Sequence, residues 1–388
     1  MILDGLLEFS WKGDIIYTLI LTQVTIASVT IYLHRHQTHQ ALTLHPIISH
    51  FFRFWLWMTT GLVTKEWVSI HRKHHAKCET KDDPHSPKNW GLKFMLLHGM
   101  KVYRAGKTRE TIEKYGHGAP SDWIEKNLYS VHEKLGICLM LIIDLMLLGL
   151  PGLFVWVVQM FWIPFWAAGV INGVGHAYGY RNFETNDSST NIFPLAIFVG
   201  GEELHNNHHT FPSSAKLSVK WWEFDIGWAY IKILESLRLA KVNREFSLLS
   251  NQDILTEKKT LDFSVVRLLI NHRLQVLTDY YRQVLLPTWH NENRKSPLPH
   301  NTKKILSCAE SQWDEKKAAT MNEMVQKNAT MRLVCQFKIS LQQICENKKL
   351  NSEELLSLFK KWVDEAQQSG NCLLEKFAQS MPNYVIKI

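Results

Sequence analysis

Three histidines at 71, 74 and 75 in HRKHH share one spacing with His205, His208 and His209 in HNNHH. In a helix, positions three and four apart lie on one face, so each triplet can aim its imidazoles at one point. Adjacent His74 and His75 diverge by about 100°, which lets one of them serve each of two neighbouring metal ions. His34 and His39 in HRHQTH diverge by roughly 140° on α-helical geometry and also suit two metals better than one. His176 in NGVGH, with Asn172 one turn before it, completes a set of nine histidines. Neutral imidazole is the commonest protein ligand for metals such as Zn, Cu, Fe and Ni. Nine of them converging at an apolar boundary without a metal would leave many polar groups unpaired. The spacing therefore predicts a metal centre with His34, His39, His71, His74, His75, His176, His205, His208 and His209 as ligands.

Ligand imidazoles need partners for their outer N–H groups. Glu202, Glu203, Asp82 and Asp83 sit beside the boxes and are the candidates. Arg35 and Arg72 read as structural or phosphate-facing. His36, His45, His85 and His98 lie near the boxes but off the pattern, and Cys78 reads as a bystander to a histidine-saturated site.

The elements that must position these groups are apolar. Residues 14–33 carry one charge, at the edge, and are long enough to span a bilayer. Segments 135–150 and 152–170 read as a helical hairpin around Pro151, with Asp144 inside it. The histidine clusters can meet only if they emerge on one side. Segment 47–64, which holds His50 and Arg53, is therefore expected to lie in the interface or re-enter rather than cross, since charge at the bilayer centre is costly. The stretch 65–134 is rich in Lys and Arg, which places the histidine face in the cytoplasm. Beyond residue 240 the chain turns polar. Segments 261–286, 303–346 and 351–379 show helical spacing, NSEELL at 351–356 has the form of a capping box, and 287–302 reads as a linker. The expectation is an all-α fold: a membrane helical bundle over 1–240 with a histidine-rich cytosolic cap, and a soluble helical region over 241–388 of open role.

A net charge of +8 suits an anionic membrane face or a phosphate-bearing substrate, and no nucleic-acid-binding signature accompanies it. Six scattered cysteines, none in a CxxC pair, read as reduced thiols. The N-terminus lacks the basic region of a cleavable signal peptide.

With their contexts, TTGLVTKEWVSIHRKHH, DDPHSP, GHAYGYRNF and GEELHNNHHTFP, these boxes resemble the integral-membrane acyl-CoA desaturases of the stearoyl-CoA type over roughly residues 14–225. The resemblance implies two Fe ions held by the nine histidines, with Asn172 linked through water. It further implies O2 as cosubstrate, a long-chain saturated acyl-CoA given a cis double bond at the Δ9 position, and electrons from a separate NAD(P)H-dependent donor of ferredoxin or flavin-reductase type. The short N-terminus and the absence of a haem-binding HPGG motif resemble bacterial members, which implies a bacterial cytoplasmic membrane. Such chemistry fits the need: the C–H bonds of a methylene pair are not acidic, so a strong oxidant must remove the hydrogens and the cofactor carries the hard step.

Membrane diiron hydroxylases share the three-box pattern and are the alternative. A zinc hydrolase would want HExxH, and the one His-Glu pair, His132–Glu133, lacks the second histidine. A transport protein would line a path through the membrane with its ligands. On helix 14–33 the face of Thr22, Gln23, Ile26, Ala27 and Thr30 is expected to end an acyl tunnel. Trp67 is placed to pack on the acyl chain or to sit at the membrane interface. Lys88, Lys93, Lys101, Arg104, Lys107 and Arg109 offer a basic surface for CoA phosphates.

Overall fold

The structure, a computed structural model, describes residues 5–192, 196–251, 260–292, 319, 328–347 and 349–386. The chain forms two compact units, Met1–Asn182 with Asp187–Phe246, and Phe183–Asn186 with Ser247–Ile388.

In the first unit, α1 (Trp11–Ala27) passes without a break into a π-helical stretch, Ser28–Thr38. Together they make a 28-residue apolar helix long enough to cross a membrane. A second such helix, Leu150–His176, is 27 residues long. It comprises α8 (Leu150–Ile163), a π-helical stretch Pro164–Ile171, and a final turn at Val174–His176. Between them, α2 (Pro46–Thr60) starts with proline at its first position and ends at Gly61, whose φ of 62° is the left-handed cap glycine tolerates best. At 1.5 Å per residue α2 is about 22 Å long, shorter than a hydrocarbon core of about 30 Å. Its Arg53 is neutralised by Asp122 at 2.6 Å and Glu125 at 3.1 Å.

α3 (Thr64–Lys77), α4 (Pro87–Trp90), α5 (Leu92–Gly106) and α6 (Arg109–Tyr115) occupy much of the Lys- and Arg-rich stretch 65–134. α7 (Glu133–Leu148) and α8 form the expected hairpin. The two helices approach so closely at Gly152 that a Cβ there would lie 2.0 Å from the Asp144 carbonyl oxygen. Asp144 is fully buried and accepts from the Gln159 amide at 3.4 Å. A Cβ on Gly99 of α5 would sit 2.5 Å from Pro164 O; small residues let membrane helices pack backbone to backbone. Three short helices follow, α9 (Ala196–Val199), α10 (His205–Thr210) and α11 (Ile226–Ser236).

The all-α expectation needs one correction. β1 (Leu42–Leu44) pairs antiparallel with β2 (Ala240–Val242), and Leu249–Asn251 pairs with Tyr384–Ile386. Each ribbon is three residues per strand, too short for the alternation of a strand to show in sequence.

The second unit is helical around a core that includes Leu269, Val276, Tyr280, Val334, Phe359, Trp362 and Phe377. Asn351 and Glu354 form a complete capping box at the start of Ser352–Gln367. The expected linker 287–302 is instead helical at its start, within Leu286–Glu292, because the buried Thr288 and Trp289 hold this turn against the core. The rest of that linker lies outside the described residues, as does most of 303–327.

Candidate metal centre

The nine histidines gather into two groups, five in one and four in the other. His34, His39, His71, His75 and His208 form the first, and His74, His176, His205 and His209 the second. In each group the Nε2 atoms point inward. His34 and His75 lie 3.1 and 2.8 Å from His208, and His71 lies 3.1 Å from His75 and 3.2 Å from His39. In the second group His205 is 3.0 Å from His176 and 3.1 Å from His209, and His74 is 3.4 Å from His209.

Helix geometry explains the split. His71 and His75 are four apart on α3 and share the first group, while His74 turns into the second, as the 100° divergence predicts. On α10 the pattern repeats in mirror: His205 and His209 go to the second group and His208 to the first. The expectation for His34 and His39 was different and is overturned. They belong to one group because the backbone between them is π-helical: His39 N donates to His34 O at 3.1 Å, five residues back. That wider turn brings i and i+5 to one face, and π-bulges of this kind concentrate at functional sites.

Carboxylates grip the outer nitrogens. Asp83 Oδ1 is 2.9 Å from His74 Nδ1, and Asp187 Oδ2 is 2.9 Å from His209 Nδ1. Glu79 Oε1 is 3.4 Å from His176 Nδ1. Glu202 Oε1 is 2.9 Å from His34 Nδ1, an ion-pair distance without the angle of a linear hydrogen bond. A carboxylate at Nδ1 keeps the proton there and turns the Nε2 lone pair inward. Burial would raise each of these acids. For Asp83, His74 outweighs it and holds the group well below the usual carboxylate range. For Glu79, His176 and Lys88 bring it down to about 2. Asp187 is likewise held low, by His209. Burial, reinforced by neighbouring imidazoles, keeps His39, His71, His75, His205 and His208 well below 6.5. For His209 burial prevails over the opposing pull of Asp187, and the group falls to about 4. These rings are neutral at physiological pH. Two facing Nε2 atoms can share one proton, but five crowded together cannot all be satisfied that way. Each can offer a lone pair to a central cation, so the donor set fits a metal in each group.

Two of the expected carboxylates do not touch the site. Asp82 is exposed beside Lys77. Glu203 is buried with Oε2 unpartnered, and burial holds it well above the carboxylate range. Glu79 and Asp187 take the places not foreseen. Neither carries a spacing signal; Glu79 enters because its backbone adopts φ 59°, a strained left-handed turn, with its N–H on Asp83 Oδ2 at 2.6 Å.

Arg35 is structural. Wholly buried, it makes paired bonds to Asp225 at 2.9 and 3.1 Å and donates to Ala215 O at 2.7 Å. Arg72 is structural as well, spanning the backbone carbonyls of Gln37, Thr38, Tyr115 and His117. Cys78 Sγ lies 4.0 Å from His74 Nε2, but burial and the neighbouring carboxylates Asp187, Asp83 and Glu79 keep it a thiol.

An apolar cavity of about 230 Å3 opens beside the first group. His71, His85, Trp67 and Asn172 line it at the histidine end, and Ile137 and Gln159 line it elsewhere. Trp67 stacks on His71 with ring centres 4.9 Å apart, so it belongs to the site. The expected tunnel face of α1 is not part of this wall. Thr22 and Thr30 donate their hydroxyls to Thr18 O and Glu202, and Gln23 donates its side-chain amide to the Tyr230 hydroxyl. The basic surface is also diminished: Lys88 pairs with Glu79, Lys107 with Glu66 and Glu133, and Arg109 with Glu113.

Residues 10–234 match the family described as Fatty acid desaturase. Among curated proteins, an acyl-CoA 5-desaturase of Anemone leveillei is 32% identical over 245 residues, 60% of this chain and 72% of the relative. A Delta-9 acyl-lipid desaturase of Arabidopsis thaliana is 29% identical over 245 residues, covering 60% and 75% of the two chains. An sn-1 stearoyl-lipid 9-desaturase of Anabaena variabilis is 29% identical over 237 residues, 60% of this chain and 84% of its own.

Proposed function

Because the chain belongs to the fatty acid desaturase family, we propose that it is an O2-dependent membrane oxidoreductase that sets a cis double bond into a long-chain saturated acyl group. The observation that carries the reading is the meeting of five-plus-four converged imidazoles with a largely apolar cavity that His71 lines. His34, His39, His71, His75 and His208 would hold one iron, and His74, His176, His205 and His209 the other, with Asn172 reached through water. The iron pair, when bound, supplies the O2-dependent oxidation of unactivated C–H bonds that no side-chain acid or base can perform.

The protein's own part is binding, orientation and exclusion of water. Asp83, Asp187, Glu79 and Glu202 fix ligand tautomers. Trp67 and the cavity wall hold the acyl chain beside His71. The buried surroundings keep bulk water out, which protects the reaction from side products. Acyl-CoA and the Δ9 position are our assignment; the relatives act on CoA and lipid acyl groups at positions 5 and 9. We place the site on the cytoplasmic side of a bacterial membrane, with electrons delivered by a separate NAD(P)H-dependent ferredoxin or flavin carrier. Residues 1–240 form the catalytic membrane part, and 241–388 a helical cytosolic region.

The test is gas chromatography–mass spectrometry of fatty-acid methyl esters, with double-bond location, from a bacterial host supplied with a reductase chain. A new cis-monoene that disappears in His208→Ala is the expected result. A hydroxylated acid in its place would assign the chain to the hydroxylases. No new lipid from folded, iron-loaded and reducible protein would overturn the reading.

A further inference from the structure

His85 lies outside the two groups of converging imidazoles, yet it is 93% buried and its Nε2 has no hydrogen-bond partner. Its ring packs on that of His74 with centres 4.3 Å apart, and lies 6.5 Å from His71. Asp83, which grips His74, also accepts from the His85 backbone N–H at 3.1 Å. One carboxylate thus ties the His74 ring to the His85 backbone. His85 lines the apolar cavity together with His71 and Asn172. Asn172 commits its amide nitrogen to Ala167 O at 3.0 Å, so its Oδ1 is the atom left to accept. Two polar groups with spare capacity therefore stand together at the histidine end of a largely apolar cavity, whose other unpartnered polar atoms, the Tyr103 hydroxyl and Gln159 Oε1, lie elsewhere on its wall. An orphan imidazole nitrogen in such a place costs free energy unless it meets a polar partner, and a water needs two or more such partners to be held.

We infer that His85 is a tenth imidazole of the centre: a positioning residue that, with Asn172, holds a water against the four-histidine group through Nε2. This rests on the two-metal reading above. His85 is not itself a ligand in this assignment; the water it holds would be a fifth donor to a metal bound by His74, His176, His205 and His209.

The experiment is Co2+ titration of the purified full chain in the absence of acyl substrate, read by metal stoichiometry and by the visible d–d absorption. Coordination geometry is diagnostic for such ions, and four-coordinate Co2+ absorbs severalfold more strongly than five-coordinate Co2+. Wild type is expected to take two Co2+ per chain with weak bands. His85→Phe should keep both ions while the absorbance of one rises severalfold, and His85→Gln, which can still hold a water, should restore the weak spectrum. His85→Leu replaces the Phe variant if the larger ring prevents folding. Loss of one Co2+ in the apolar variants would make His85 a direct ligand and overturn the assignment. An unchanged spectrum would overturn it too. Failure of wild type to bind two ions would remove the two-metal reading itself, and is told apart by being visible before any substitution is made.

Discussion

The amide of His39 reaches back five residues to the carbonyl of His34, 3.1 Å away, and this one bond puts two imidazoles into the same pocket. With ordinary α-helical spacing the two would diverge by roughly 140°. An alanine inserted between His36 and Gln37 keeps every ligand and changes only this register. The five-histidine pocket should then lose its metal while the four-histidine pocket keeps its own. Metal analysis of purified protein should fall from two ions per chain to one. Retention of both would mean that the loop around Gln40, already at φ 52°, absorbs the extra residue.

Asp187 and Asp83 act on the same pocket from opposite sides, one through His209 and one through His74. Loss of such a partner typically lowers metal affinity by roughly 10- to 100-fold. Asp187→Ala should show that loss in competition with a chelator, and Asp83→Ala a comparable one. Asp82→Ala is the control, since Asp82 is exposed and faces Lys77 at 3.9 Å; its affinity should match wild type.

The parts of the site legible in the sequence are those that helix periodicity alone determines. His71, His74 and His75 divide between two pockets because successive helical residues point about 100° apart. The α7–α8 hairpin and the capping box at Asn351 are equally local. What was illegible depends on contacts far apart in the chain or on backbone that departs from the α-helix. His34 and His39 meet through a π turn that no residue type announces. Asp187 reaches His209 from a loop 22 positions earlier. Glu79 reaches His176 across 97 positions from a left-handed turn. Glu203, beside Glu202, differs from it only in the direction its side chain takes after Gly200 and Gly201, whose φ values of 71° and 91° are open to glycine and costly to other residues. The cavity lies behind α3 and α5 rather than along α1, and its position follows from the close crossing at Gly99, a packing fact with no periodic signature.

The helical unit carries its own pH dependence. Burial pushes the Asp279 carboxyl up to about 6, against an opposing hydrogen bond from the Tyr384 hydroxyl at 3.2 Å. Its value in the unfolded chain is near 3.9. The folded state therefore binds this proton more tightly than the unfolded state. The stabilisation is fully present below pH 4 and is lost as pH rises through 6. The difference is on the order of 2 kcal/mol once partial exposure is allowed for. Asp279→Asn should abolish it. Denaturant unfolding of the full chain, followed at Trp362 by hydrogen exchange of its helix, should show wild type less stable at pH 7.5 than at pH 4.5 by about that amount, and the variant level between the two.

Trp67, His71 and Asn172 mark the end of the cavity where chemistry would occur, while Gln159 and Met160 lie on α8 about three and a half helical turns before Asn172. From Gln159 to Asn172 the helix rises about 20 Å, so an acyl chain can lie alongside it. Two substitutions separate the ends. Ala168→Trp fills the space near His85 and Asn172, and should weaken acyl binding at least about tenfold, a loss of about 1.4 kcal/mol, with the metal content unchanged. Met160→Trp shortens the cavity at the other end and should move the preferred substrate to a shorter chain with little loss of rate. Thr22→Trp, on the α1 face outside this wall, should disturb packing around Thr18 without changing chain-length preference. The measurement is the product profile from a mixture of saturated acyl groups of graded length. A shift with Thr22→Trp and none with Met160→Trp would move the end of the acyl chain to α1, and would mean that the tail leaves this cavity beyond the histidines instead of running along α8.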